Sequence, residues 1–128
     1  MCIRDSLGTA LPPISLKVLN NCDQVIVVVE PVPTTLSQSK LLLEELTVLG
    51  IGKSRINVVL VNRIRTGIQM TWSQVQDQLG YNISVIFTPA PELAYQASIN
   101  NKPMIIMQPD SLTSQQFIKL AQNITQTL

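Results

Sequence analysis

Three short runs rich in β-branched residues constrain this chain more than anything else in it: Val25–Val29, Ile56–Val61 and Ile83–Phe87. Their first residues stand 31 and 27 positions apart. That interval leaves room for one helix and two turns between successive strands, which is the arithmetic of βαβ units. The first two runs are almost continuously apolar instead of alternating, as expected where helices cover both faces of a parallel sheet. The expected class is therefore α/β, a partial doubly wound parallel sheet, and a β-sandwich is disfavoured. Met104–Met107 is a further short apolar run, read as a fourth, edge strand or as an extended crossing.

Helix signals fill the intervals. Thr35-Leu36-Ser37-Gln38 reads as a capping box, followed by Leu42, Leu43, Leu46 and Leu49 on one face and by Gly50 and Gly52 as stops. Thr71-Trp72-Ser73-Gln74 repeats that logic. Trp72, Val75 and Leu79 recur at i, i+3 and i+7, which makes Trp72 a core anchor, and Gly80 ends the segment. Pro91-Glu92 suits the first turn of a helix carrying Leu93, Ala94 and Ala97. Its stop lies at Asn100-Asn101, with Asn101 in the left-handed conformation usually taken by glycine. Asp110 or Ser111 caps a last helix whose Phe117, Leu120, Ile124 and Leu128 form one stripe. At the front, Pro12-Pro13 precede a segment with Ile14, Val18 and Leu19 that reads as a helix to Asn21.

A doubly wound sheet normally has about five or more strands, so three apolar strands leave at least one costly open edge. The chain is accordingly expected to be the rear part of a larger sheet. Met1-Cys2-Ile3-Arg4-Asp5-Ser6 reads as a translated sequencing-adapter remnant, so the expected limits are residues 1–6 as adapter-derived and residues 7–128 as the folded portion.

Composition narrows the chemistry. Hydrophobic residues make up 45% and charged residues only 13%, while 40 of the 128 positions are Ser, Thr, Asn or Gln, so neutral polar groups must solvate a folded domain. The longest apolar run has five residues, Val25–Val29, far below the roughly 20 needed to span a bilayer, and a cytoplasmic location is expected. A net charge of +1 gives no general attraction for nucleic acid or anionic lipid. With no histidine, Ser-His-Asp triads, Cys-His pairs, imidazole proton shuttles and His-containing zinc sites are excluded. Cys2 and Cys22 have no CxxC spacing; Cys22, just before a strand, is read as a reduced thiol acting as a small apolar side chain, and no metal site is expected.

In open parallel α/β sheets ligands bind beyond the carboxyl ends of the strands. Three segments qualify here: Glu30-Pro31-Val32-Pro33, Asn62-Arg63-Ile64-Arg65 and Thr88-Pro89-Ala90-Pro91-Glu92. The planar amide of Asn62 can donate to one atom and accept from its neighbour, the pattern adenine offers along N6 and N7, or it can simply cap loop backbone. Arg63 and Arg65 add positive charge on the same rim. A receiver-type phosphoacceptor is disfavoured because the second strand ends in Asn62 and the third in Thr88-Pro89. Neither GxGxxG nor GxxxxGK[ST] occurs in the sequence. Lys53 and Arg55 flank the opposite end of the second strand from Arg63 and Arg65, so these cations form no single nucleic-acid patch.

Taken in order, these pieces resemble the C-terminal half of the MinD/ParA-type deviant-Walker P-loop ATPases, closest to the CpaE-like pilus-assembly branch. Leu7-Gly8 and the segment from Leu19 to Pro31 are similar to the stretch after the family's Walker B strand. Val58-Val59-Leu60-Val61-Asn62-Arg63 resembles its "vvlNr" strand end, and Thr88-Pro89, Ala97 and Lys102-Pro103 resemble its "iP-x-D … a-x-x-x-g-x-P" stretch. Asp110-Ser111 and Leu120-Ala121 fit its closing helix. Pro91 stands where the family often has Asp, Asn101 where it often has Gly, and Ser6 where the Walker B Asp would precede Leu7-Gly8.

The resemblance implies a P-loop NTPase-like fold, of which this chain carries three to four strands, and an adenine-side wall formed by Asn62, Arg63, Thr88 and Pro89. It implies ATP and Mg²⁺ as cofactors of the intact parent and none for this portion alone, which lacks the Walker A loop and holds no catalytic residue. It further implies a homodimer with nucleotide at the interface, and an ATP-dependent role in localisation or pilus and secretion assembly, with peripheral contact at the inner membrane through partners. The alternatives are a non-catalytic interaction module of the same fold, or a self-contained flavodoxin-like binding domain.

Overall fold

The computed structural model describes residues 13–63 and 69–127. The readings made for residues 1–6, for Leu7-Gly8, for Ile64 and Arg65 and for Leu128 fall outside them. The described order is α1 (Pro13–Asn21), β1 (Val25–Val29), α2 (Pro33–Val48), a 3-10 turn (Lys53–Arg55), β2 (Ile56–Val61), α3 (Trp72–Leu79), β3 (Ile83–Phe87), α4 (Pro91–Ile99), α5 (Met104–Met107) and α6 (Leu112–Thr127).

The three strands form one parallel sheet in the order β1-β2-β3. Val25 faces Ile56 and Val29 faces Leu60, while a register shift at Val58/Val59 offsets the second pairing. One face of the sheet carries the main core, in which Val27, Val29, Val58 and Leu60 meet Leu19 of α1, Leu36, Leu43 and Leu46 of α2, and Val75 and Leu79 of α3. On the other face Val59, Val85 and Phe87 pack with Leu120 of α6. The rings of Phe87 and Phe117 stand 4.6 Å apart at 51°, fixing α6 along β3.

Coverage is complete only on β2, whose first five residues are buried. On β1, Ile26 and Val28 are paired with Asn57 and Val59 and so share the α6 side of the sheet, yet they are 43% and 60% exposed. The expectation of helices on both faces of the first strand is thus corrected: α6 lies over β3 and leaves Ile26 and Val28 of β1 exposed. The polar side chains on this face form a row across the strands. Asn57 Nδ2 donates to Gln24 Oε1 at 2.8 Å, Ser84 Oγ donates to Asn57 Oδ1 at 3.3 Å, and Asn123 Nδ2 donates to the Ser84 carbonyl at 3.4 Å.

Several local signals hold. Thr71 and Gln74 form a reciprocal capping box on α3, and Gly80 ends that helix at φ 69°. Asn101 closes α4 at φ 50° in the left-handed region. Ser111 precedes α6, its Oγ accepting from the Ser114 amide at 3.2 Å. The Cys22 thiol donates to the Leu19 carbonyl at 3.3 Å and packs against the main core.

Others are corrected. Helix α2 starts two residues before the expected capping box, with Pro33 in its first turn and Val32 at the cap, because proline presets the helical φ where no N–H partner is needed. Leu49 is its C-cap and is 40% exposed, so the buried stripe ends at Leu46. Trp72 is 55% exposed: as the first residue of α3 it projects beyond the stripe that Val75 and Leu79 continue. Met104–Met107 is a helical turn, not a strand. The Ile106 and Met107 amides both donate to the Pro103 carbonyl, at 3.0 and 3.1 Å, and four apolar residues alone carry no periodicity that separates the two outcomes.

Candidate functional site

The carboxyl ends of β2 and β3 are held side by side. The Asn62 amide donates to the Phe87 carbonyl at 3.0 Å, extending the ladder one residue past β2 and placing Asn62 next to the Thr88-Pro89 loop. Beyond this pole lies a cleft of about 690 Å³ with two walls. Pro89 to Leu93 and Gln96 make one, where β3 turns into α4. Gln108, Ser111 and Thr113 make the other, where α5 turns into α6. Arg63 stands at the mouth, its Nη1 3.1 Å from Glu30 Oε1 at the end of β1, with the arginine side chain largely exposed. An ion pair so open to solvent positions Arg63 more than it stabilises the fold.

The four expected site residues therefore gather at one pole but do different things. Arg63 and Pro89 line the cleft. Asn62 lies behind it, and its Oδ1 is buried without a hydrogen-bond partner among the described residues. Thr88 also lies behind it and spends both donors inward: its N–H and its hydroxyl reach Gln116 Oε1 at 3.1 and 3.4 Å. Sequence reasoning missed the second wall, because Gln108, Ser111 and Thr113 are remote in the chain and only the packing of α6 on β3 brings them round. Gln116 was missed for the same reason. The Asp-Ser cap before an amphipathic helix was the one signal that pointed toward them.

At the opposite pole, Arg55 donates to the carbonyls of Asp23 and Cys22, and Lys53 lies 4.7 Å from the centre of the Tyr81 ring. Lys53 and Arg55 thus bind backbone and ring across the sheet from Arg63, as their positions around β2 require. Among the described residues no three Cys, Asp or Glu side chains converge as a metal site would, and no helix is long and apolar enough to cross a membrane.

Asn62 Oδ1 is the one buried side-chain polar atom without a hydrogen-bond partner among the described residues. A buried acceptor with no donor costs roughly 1–3 kcal/mol, and an exocyclic amine would supply the missing donor. A triphosphate and Mg²⁺ do not fit the described residues, which offer neither a glycine-rich cradle nor a group of carboxylates, so no hydrolytic step is assigned to them.

A parallel β1-β2-β3 sheet with helices packed against it is an α/β fold, and the solved structures that share this fold include ParA and MinD ATPases. The ParA family ATPase from Chlorobium tepidum TLS superposes with a TM-score of 0.73 at 19% identity, over 92% of this chain and 46% of that one. The septum site-determining protein MinD from Pyrococcus horikoshii OT3, solved with Mg-ADP, gives 0.68 at 20% identity over 80% of this chain and 41% of its own. A chain of the MinC:MinD cell division protein complex of Aquifex aeolicus gives 0.71 at 20% identity, over 83% of this chain and 44% of its own. The chain thus spans less than half the length of the structures it matches. No protein-family model matches the sequence, and no curated protein sequence matches it significantly.

Proposed function

We propose that this chain is the C-terminal half of a MinD/ParA-type ATPase of the CpaE-like branch and carries the adenine-side wall of its ATP site, formed by Asn62, Arg63, Thr88 and Pro89. The observation that carries the reading is the buried, partnerless Asn62 Oδ1 beside a cleft at the carboxyl pole of the sheet. In this reading Asn62 accepts from the exocyclic amine of the base, Pro89 and its neighbours pack on the ring, and Thr88 holds that loop from behind. Arg63, steered by Glu30, closes the mouth with positive charge. The intact parent supplies the phosphate grip and Mg²⁺ from its other half, and ATP supplies the binding energy that switches dimerisation and localisation in a pilus or secretion assembly system. The superposition of 80–92% of this chain on under half of each ATPase supports the division.

The test is a nuclear magnetic resonance titration of the full chain with adenosine and, separately, inosine, which replaces the amine with an oxo group. Adenosine is expected to shift the Arg63 and Ala90 amides with a Kd of about 1 mM or weaker, inosine less so, and Asn62→Ala is expected to abolish the difference. Equal response to the two nucleosides would remove the base-reading role of Asn62. Tight, Mg²⁺-dependent ATP binding in calorimetry would show that the phosphate grip is already here. A KGGxGK[ST] loop in the upstream reading frame is the genetic counterpart of the same expectation.

A further inference from the structure

We infer that Gln116 is a positioning residue of the cleft, an amide clasp through which α6 fixes the spacing between its two walls. The first observation is one of chemistry at the loop. Pro89 and Pro91 have no N–H to donate, so the segment leaving β3 is tied down through the donors of Thr88. Both of these go to a single acceptor, Gln116 Oε1, at 3.1 and 3.4 Å. Both lone pairs of that carbonyl are thereby committed to one loop.

The second observation is where Gln116 sits. Thr113, Gln116, Phe117 and Leu120 recur at i, i+3, i+4 and i+7 and so share one side of α6. Thr113 lines the far wall of the cleft, Phe117 meets Phe87, and Leu120 packs on the Val59, Val85 and Phe87 cluster. The clasp therefore lies between the residue that shapes one wall and the aromatic pair that anchors the helix. A change in how α6 seats on the sheet must move Thr113 and the Thr88 loop together. The site is in this way coupled to the last helix of the chain, a segment outside the strand-end motifs.

The binding arm of this inference rests on the purine reading above; the loop arm does not. Two variants separate the acceptor from the bulk of the side chain: Gln116→Leu removes the oxygen, and Gln116→Glu keeps one. In Gln116→Leu, the Thr88 amide is expected to exchange with deuterium roughly tenfold faster relative to core amides such as Val58, as follows from freeing two donors. Adenosine binding is expected to weaken severalfold at the same time, and Gln116→Glu to hold both readouts near wild type. If Gln116→Leu does not fold, Thr88→Val removes the hydroxyl bond alone, and faster exchange of the amide at position 88 is the expected sign. Unchanged exchange of the amide at position 88 in Gln116→Leu, or in Thr88→Val, would overturn the clasp. Weakened binding in Gln116→Leu that Gln116→Glu fails to rescue would also overturn it. Should adenosine not bind the wild-type chain, the purine reading fails and the clasp stands or falls on the exchange measurement.

Discussion

Single residues in this chain carry backbone tasks that their chemistry makes measurable. Asn101 holds φ 50°, a conformation that Asn tolerates and Gly enters without steric cost. Asn101→Gly is expected to be neutral or to stabilise by up to about 1 kcal/mol, and Asn101→Val to destabilise by about 1–2 kcal/mol, both read from urea melts. Thr71 is a different case, since its side chain accepts the Gln74 amide at 3.3 Å while Gln74 Oε1 accepts the Thr71 amide at 2.9 Å. Thr71→Ala removes half of that exchange and is expected to cost about 1 kcal/mol, with Thr71→Ser retaining most of it. Residues of this kind were legible beforehand because cap and stop signals are local. Asn62 was legible as a strand-end amide, but its partnerless oxygen was not, since that depends on what surrounds it in space.

At the scale of elements, burial separates residues that look alike in sequence. Leu41 and Leu43 stand two positions apart in α2, yet Leu41 is 66% exposed and Leu43 is 1% exposed. Leu43→Ala should cost about 2–5 kcal/mol by thermal or urea unfolding, and Leu41→Ala no more than about 0.5 kcal/mol. The strands were readable from β-branched content and spacing, α3 from its capping box, and α4 from Pro91 in its first turn and Asn101 past its end. Met104–Met107 was not readable, because a four-residue apolar run satisfies a strand and a helical turn equally and the Pro103 carbonyl decides between them. Trp72 misled for a related reason. Its spacing matched the buried stripe, but the first residue of a helix can overhang the layer beneath it. The second wall of the cleft belongs to the same class of failure, being made by the docking of one distant element on another.

For the molecule as a whole, the dominant feature is the imbalance of β1. Among the described residues it is an edge strand of five consecutive apolar residues with no charge or proline within it, and two of its side chains face outward. Edges of that composition invite pairing with another chain. The protein on its own is expected to self-associate with rising concentration in sedimentation velocity runs. Val28→Lys should shift it toward monomer with little change in unfolding midpoint, whereas an unchanged sedimentation profile would place the association elsewhere. The same imbalance explains why the sheet itself could be anticipated from sequence while its covering could not. Continuous apolarity predicts that both sides of a strand are meant to be dry, and it does not say which other segment dries them.

The row formed by Gln24, Asn57, Ser84 and Asn123 bears on this. A run of interchangeable valines tells neighbouring strands little about how far to slide past one another, since nearly every offset keeps oil against oil. Amides that must meet amides are less forgiving. A slip of one position would turn Asn57 to the main-core face and strand its hydrogen-bonding groups in oil, so this polar row indexes the strands like a key in a lock, and the greasy stretches around it can then be generic.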